Sequence, residues 1–183
     1  MNANRILCLS GSLRGVSYNT ALIKALPSLA PDNMEMVVFP TLGTLPLFNP
    51  DHEEEDIASV KALKTEIKLA DGMIIASPEY AHGISGVLKN ALDWLVSSEH
   101  FYGMPTVLFN AAPRARHAQA ALREVLNTMS AEIIEEASIT VPLLSSNLDT
   151  NGIINHSELS ARIRNALVLF HEKIEAIKKA YDS

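Results

Sequence analysis

Two short stretches carry residue types that can do chemistry together. The first is Gly11-Ser-Leu-Arg-Gly-Val-Ser-Tyr-Asn-Thr20, which follows the apolar run Arg5–Ser10 and precedes a segment of helical period. A helix N-terminus offers unpaired N–H groups and the positive end of the helix dipole, so it holds an anion readily. Ser12, Ser17, Asn19 and Thr20 add short polar side chains, and Arg14 adds a charged fork suited to phosphate oxygens. Gly11 and Gly15 let the backbone approach a ligand. The same Ser, Asn and Thr residues also suit a plain capped turn, with Arg14 a surface cation. Neither Gly-x-Gly-x-x-Gly nor Gly-x4-Gly-Lys-Ser/Thr occurs here, so a monophosphate fits better than a dinucleotide or a triphosphate. A rival reading uses Cys8 and Arg14, which satisfy the Cys-x5-Arg pattern of cysteine phosphatases. Cys8 sits inside the apolar run Ile6–Leu9, a setting for a neutral core thiol rather than a nucleophile, and the chain has no Asp-Pro dipeptide for a general acid.

The second stretch is Ser77-Pro-Glu-Tyr-Ala-His-Gly-Ile-Ser-Gly86, after the apolar run Gly72–Ser77. Pro78 ends a strand because it has no N–H to donate. Exposed amides between Gly83 and Gly86 suit the polar edge of a flat heterocycle, and Pro78–His82, at the strand end, is read as a ligand contact. The alternative is an ordinary strand-to-helix connection with Tyr80 and Trp94 as packing aromatics, and for Trp94, on an apolar helical stripe, that reading is preferred.

The elements that must position these residues alternate along the chain. Strands are expected at Arg5–Ser10, Met34–Phe39, Gly72–Ser77, Pro105–Ala111 and within Glu132–Val141. Helical periodicity covers Thr20–Leu29, Asp56–Ala70, Ile84–Leu95 and about Ala115–Met129. Asn155 and Glu158 resemble a capping box for a last helix lined by Leu159, Ile163, Leu167, Phe170, Ile174 and Ile177. Five strand-then-helix units predict one domain over residues 1–183, an α/β doubly wound three-layer sandwich on a parallel sheet. Ligands of such sheets bind at the C-terminal strand ends, beside the point where strand order reverses. That places both stretches, and the loop after the fourth strand, at one edge.

Together, Gly11-Ser-x-Arg-x-x-Ser-x-Asn19 and Pro78-Glu-Tyr…Gly86-x-Leu-Lys-Asn-x-x-Asp-Trp94 resemble the NADPH-dependent FMN reductase family, which includes flavodoxin-like quinone, azo-dye and chromate reductases. The resemblance implies a flavodoxin-like fold, a five-stranded parallel sheet of strand order 2-1-3-4-5, and bound FMN. It implies that Ser12, Arg14, Ser17, Asn19 and Thr20 hold the FMN phosphate, with Pro78, Glu79 and Tyr80 flanking the isoalloxazine ring and ribityl chain. It implies a ping-pong hydride relay from NADPH or NADH through FMN to a small acceptor such as a quinone, azo compound, chromate or free flavin. It also implies a homodimer or homotetramer, with Lys89, Asn90, Asp93 and Trp94 at the interface. The flavin carries the chemistry, so no catalytic acid or base is named; Tyr80 and His82 are candidates only for assisting protonation. Where many relatives have Asn after Pro-Glu-Tyr, this chain has Ala81, leaving His82 or a backbone amide to replace its contact. Relatives often have Pro where this chain has Ser85. The loop after the fourth strand, often Gly-rich, here contains Arg114 and Arg116, which could attract the phosphates of the nicotinamide cofactor. The competing readings are a non-catalytic electron carrier, the phosphatase, and a binding module that kept only the fold.

Composition narrows the field. Fifteen Lys+Arg against 21 Asp+Glu give a net charge of −6, which opposes binding to nucleic acid or to anionic membranes. A single cysteine excludes an intramolecular disulfide framework and fits a reducing, cytoplasmic setting. No signal peptide or membrane-spanning run is evident. The acidic run His52–Asp56 reads as a solvated helix start, and no metal site is expected.

Overall fold

The computed structural model describes residues 3–181. Four long strands, β1 (Asn4–Ser10), β2 (Met34–Val38), β3 (Gly72–Ala76) and β6 (Pro105–Asn110), lie parallel in the order β2-β1-β3-β6. Between β3 and β6 a small antiparallel hairpin forms from β4 (Glu79–Tyr80) and β5 (Gly83–Ile84). Two short strands, β7 (Glu132–Ile133) and β8 (Ile139–Thr140), both pair with β6. The helices are α1 (Tyr18–Leu29), α2 (Ala58–Leu69), α3 (Gly86–Leu95), α4 (Arg116–Thr128), α5 (Thr150–Asn155) and α6 (Ser157–Tyr181).

Side chains alternate across a strand, so a sheet buried on both faces sends successive apolar residues to opposite cores. Ile6, Cys8, Ile74, Ala76, Val107 and Phe109 pack with α1, α5 and α6. Leu7, Leu9, Met73, Ile75 and Leu108 pack with α2, α3 and α4. The expected three-layer sandwich and strand order are therefore present. None of the described helices is long and apolar enough to cross a membrane.

The fifth strand differs from the expectation of one strand within Glu132–Val141. Pro105 and Thr106 pair with Glu132 and Ile133, whereas Phe109 and Asn110 pair with Ile139 and Thr140. The pairing offset grows by three residues between the halves. The excess forms a 3₁₀ turn at Glu135–Ala137 that buries Ala137. Ser138 replaces the missing ladder partner: its Oγ accepts from Leu108 N at 3.0 Å and donates to Ile134 O at 3.0 Å. Arg123 of α4 grips Glu135 through two nitrogens at 2.7 and 2.9 Å, and Lys173 of α6 reaches Glu136 at 2.9 Å. The hydrogen-bonded Arg123 guanidinium holds the Glu135 carboxyl below its ordinary range.

Asn155 is not the cap of the last helix. It ends α5, which Asp149 caps by accepting from Gly152 N at 2.7 Å. His156 then takes the capping role for α6, its Nδ1 accepting from Leu159 N at 3.4 Å. Asn4, buried at the start of β1, ties α6 to the sheet: its Nδ2 bonds His171 Nδ1 at 2.9 Å and Glu175 at 3.0 Å, and its Oδ1 accepts from Lys178 at 2.6 Å.

Side chains of helix α6 pack directly against Gly72. A Cβ there would lie 2.8 Å from Phe170 Cζ, 2.9 Å from Ile174 Cδ1 and 3.3 Å from Pro105 O. Gly72→Val is expected to lower unfolding free energy by about 1–3 kcal/mol in urea titration, the usual cost of overpacking. An unchanged midpoint would mean that α6 can back away freely.

Candidate active site

An open cleft of about 390 Å³ lies at the C-terminal ends of β1, β3 and β6. Its walls come from the loop after β1, the segment Pro78–Tyr80, the loop after β6, and Leu144 beyond β8. The first loop is drawn against the second. Gly11 N donates to Ala76 O at 2.8 Å, and a Cβ on Gly11 would meet Ser77 Oγ at 2.7 Å and Ser85 Oγ at 2.9 Å. Only a residue without a side chain permits that approach.

Ser12, Arg14, Ser17 and Asn19 line the cleft as the motif suggests. Ser17 caps α1, its Oγ accepting from Thr20 N at 3.3 Å. Thr20 does not line this cleft; its hydroxyl pairs with Ser10 Oγ at 2.9 Å. Asn19 is buried, and its Oδ1 has no hydrogen-bond partner among the described residues. Turned end for end, that amide presents a donor to an anion in the cleft. A capped helix N-terminus, a free guanidinium and an unpartnered amide suit a phosphate, so these residues fit the phosphate end of FMN.

Pro78, Glu79 and Tyr80 form the second wall, with Tyr80 half exposed. Ala81 and His82 do not line the cleft. They make the two-residue turn of the β4–β5 hairpin, with φ of 47° and 61°. Such a turn requires left-handed backbone at both positions and favours Asn-Gly, so Ala81 holds an unfavourable conformation. The His82 ring stacks on His117 of α4, centroids 4.3 Å apart and planes 18° from parallel. Glu79 has a second task. Its Oε2 accepts from Ala118 N at 2.9 Å, capping α4, whose own N-cap residue is Ala115.

The two arginines after β6 separate. Arg114 lines the cleft, while Arg116 lies in another groove with Gln119, Arg123 and Ser138. Val16, Tyr18, Ala111, Ala112, Ala115 and Leu144 also line the cleft and were not singled out from sequence. Tyr18 and Val16 could have been included as neighbours of the motif. Leu144 carried no signal, because only the return of the chain beyond β8 brings it here.

Other candidates lie elsewhere. Cys8 is fully buried, its Sγ 3.6 Å from Ile6 O and 3.8 Å from Met36 Sδ. Burial pushes its thiol far above the ordinary range, which removes the thiolate that a phosphatase needs. On α3, Asn90 accepts from Phe48 N at 2.7 Å and donates to Pro46 O at 2.9 Å. Trp94 Nε1 also donates to Pro46 O, at 2.8 Å, and its ring meets Phe48 edge-on at 5.1 Å. Both residues thus pin the loop before α2, while Lys89 and Asp93 form an ion pair at the surface. Among the described residues no group of three metal-ligating side chains occurs.

Comparison with known proteins gives the family. The family model described as NADPH-dependent FMN reductase matches residues 4–143. The chain belongs to the NADPH-dependent FMN reductase family. It is thus an oxidoreductase whose cofactors are FMN and a reduced nicotinamide nucleotide. The reductase is 30% identical to the quinone reductase of Escherichia coli K12, over 95% of this chain and 97% of that one. It is 33% identical to the 2-hydroxy-1,4-benzoquinone reductase of a Burkholderia species, over 95% and 96%. Its structure superposes on FerB, a flavoenzyme NAD(P)H:(acceptor) oxidoreductase from Paracoccus denitrificans, with a TM-score of 0.84, 25% identity and coverage of 95% and 98%.

Two stability changes follow from the hairpin. Ala81→Gly relieves the left-handed backbone and is expected to raise unfolding free energy by up to about 1 kcal/mol. Glu79→Ala removes the cap of α4 and is expected to lower it by about 1–2 kcal/mol, with Glu79→Gln recovering most of the loss. Denaturant titration checks both, and equal stability of all three variants with wild type would contradict the assignment.

Proposed function

We propose that the reductase transfers reducing equivalents from NAD(P)H to a small acceptor, donor and acceptor occupying the cleft in turn by a ping-pong mechanism. The observation that carries this reading is the grouping of Arg14, Ser12, Ser17, Asn19 and the α1 N-terminus in one cleft beside Pro78–Tyr80. Ser12, Arg14, Ser17 and Asn19 hold the FMN phosphate, and Thr20 supports the loop from behind through Ser10. Pro78, Glu79 and Tyr80 flank the isoalloxazine. FMN, when bound, supplies the two-electron redox centre, so the side chains position and shield rather than act as acids or bases. Tyr80, in the cleft wall, is the candidate for assisting protonation; His82, on the hairpin tip, is remote from that role.

The names of the relatives support quinones as acceptors, including hydroxylated benzoquinones, and an NADPH azoreductase of a Bacillus species, 47% identical over 37% of this chain, supports azo compounds. Chromate and free flavin extend the same chemistry. Val16 and Leu144 are 85% and 50% exposed at the open rim of the cleft, where a second subunit would shield a bound flavin. We therefore propose a homodimer or homotetramer working in the cytoplasm.

Purified protein is expected to bind FMN, to bleach on anaerobic NADPH addition and to recover its colour with a benzoquinone. Double-reciprocal plots at several quinone concentrations should be parallel. Arg14→Ala should weaken FMN binding about tenfold to a hundredfold, the range for losing a charge-assisted hydrogen bond. Protein that neither binds nor responds to FMN would overturn the reading.

A further inference from the structure

Among the described residues the cleft is lined by two guanidiniums, Arg14 and Arg114, and one carboxylate, Glu79. A carboxylate that shares a cleft with two arginines is a ready ion-pair partner for either. Glu79 instead accepts from Ala118 N at 2.9 Å, where its charge is set against the N-terminal end of α4. Among the described residues neither Arg14 nor Arg114 forms an ion pair. The two arise from different loops, after β1 and after β6, and Arg14 alone shares its loop with Ser12 and Ser17, next to Asn19 in the first turn of α1. FMN brings a single phosphate, which those four residues account for. Arg114 is left as an uncancelled cation facing the same cleft.

We propose that Arg114 is a second anion subsite, taking a phosphate of the nicotinamide nucleotide, and that Glu79 is a positioning residue holding the segment that bears it. The inference rests on reading the cleft as the site of FMN and NAD(P)H. Glu79 joins the hairpin wall to the first turn of α4, and Arg114 lies just before that turn, in a segment also held by Ala115 N donating to Ala112 O at 2.9 Å and Arg116 N donating to Arg114 O at 2.8 Å. Arg116, two residues on, lies in the separate groove and has no such role.

Two donors separate binding of the phosphates from transfer by the ring: NADPH, and N-benzyl-1,4-dihydronicotinamide, which has the same reducing ring and no phosphate. With FMN and a benzoquinone saturating, Arg114→Ala should lower kcat/KM for NADPH by about tenfold or more. The benzyl analogue should change by less than about twofold, as should the Kd for FMN. Arg114→Lys should recover part of the loss, and Arg116→Ala should behave as wild type. NADH identifies the group bound: equal losses for NADH and NADPH assign Arg114 to the pyrophosphate, and a loss confined to NADPH assigns it to the 2′-phosphate. Glu79→Ala should lower the ratio of kcat/KM for NADPH over the analogue, and Glu79→Gln, which keeps an acceptor for Ala118 N, should restore it.

Unchanged NADPH kinetics in Arg114→Ala, equal losses with NADPH and the analogue, or a loss of FMN affinity matching Arg14→Ala would overturn the subsite. A Glu79→Ala variant that loses stability but keeps the donor ratio would overturn the positioning role. Wild-type protein that reduces the quinone with neither donor in the presence of FMN would overturn the underlying reading instead.

Discussion

Parallel strands cannot be joined by tight turns; each return must cross a face of the sheet and bury it. In this chain α1, α2, α3 and α4 each lie between successive strands of the main sheet. Both faces are consequently covered, and the strands show the continuous apolar character that double burial demands. The same constraint gathers the loops that leave the strands at one edge. The cleft is a consequence of this connectivity, since the loops after β1, β3 and β6 have nowhere else to meet.

The far side of the sheet shows how much irregularity the constraint tolerates. Three residues beyond those needed for pairing are accommodated between β7 and β8 by one serine that both donates and accepts, and by two carboxylates tied to flanking helices. The sheet continues past the interruption, so Val141 and Leu143 still bond to Asn110 and Ala111. That continuation delivers Leu144 to the rim of the cleft.

The electrostatics are local rather than global. A chain of net charge −6 still presents cations to one cleft, because the position of its charges and helix ends, not their sum, sets the local field there. Arg14 stands beside a helix N-terminus, and Glu79, an acidic side chain of the cleft wall, is engaged by another helix. Glu79 is read from sequence only as a member of the Pro-Glu-Tyr motif. Its partner, Ala118, is 39 residues away, and nothing in the sequence marks a backbone N–H as needing a cap from so far.

What the sequence by itself determined was the class of the fold, which rests on apolar periodicity, and the family resemblance, which rests on two local motifs; the strand order came only as what that resemblance implies. It also indicated most of the cleft, since Ser12, Arg14, Ser17, Asn19, Pro78, Glu79 and Tyr80 lie within those motifs. Periodicity could not show the split of the fifth strand, because the seat of Ser138 exists only against Leu108. Nor could it place the last helix cap, since Asn155 and His156 are adjacent and both can accept. The tertiary structure alone decided that Thr20 faces Ser10, that Ala81 and His82 turn the hairpin away from the cleft, and that Arg114 enters it while Arg116 does not. Those outcomes depend on the direction of single side chains at loop and helix ends. Neighbouring segments set such directions, which the local pattern of residue types does not encode.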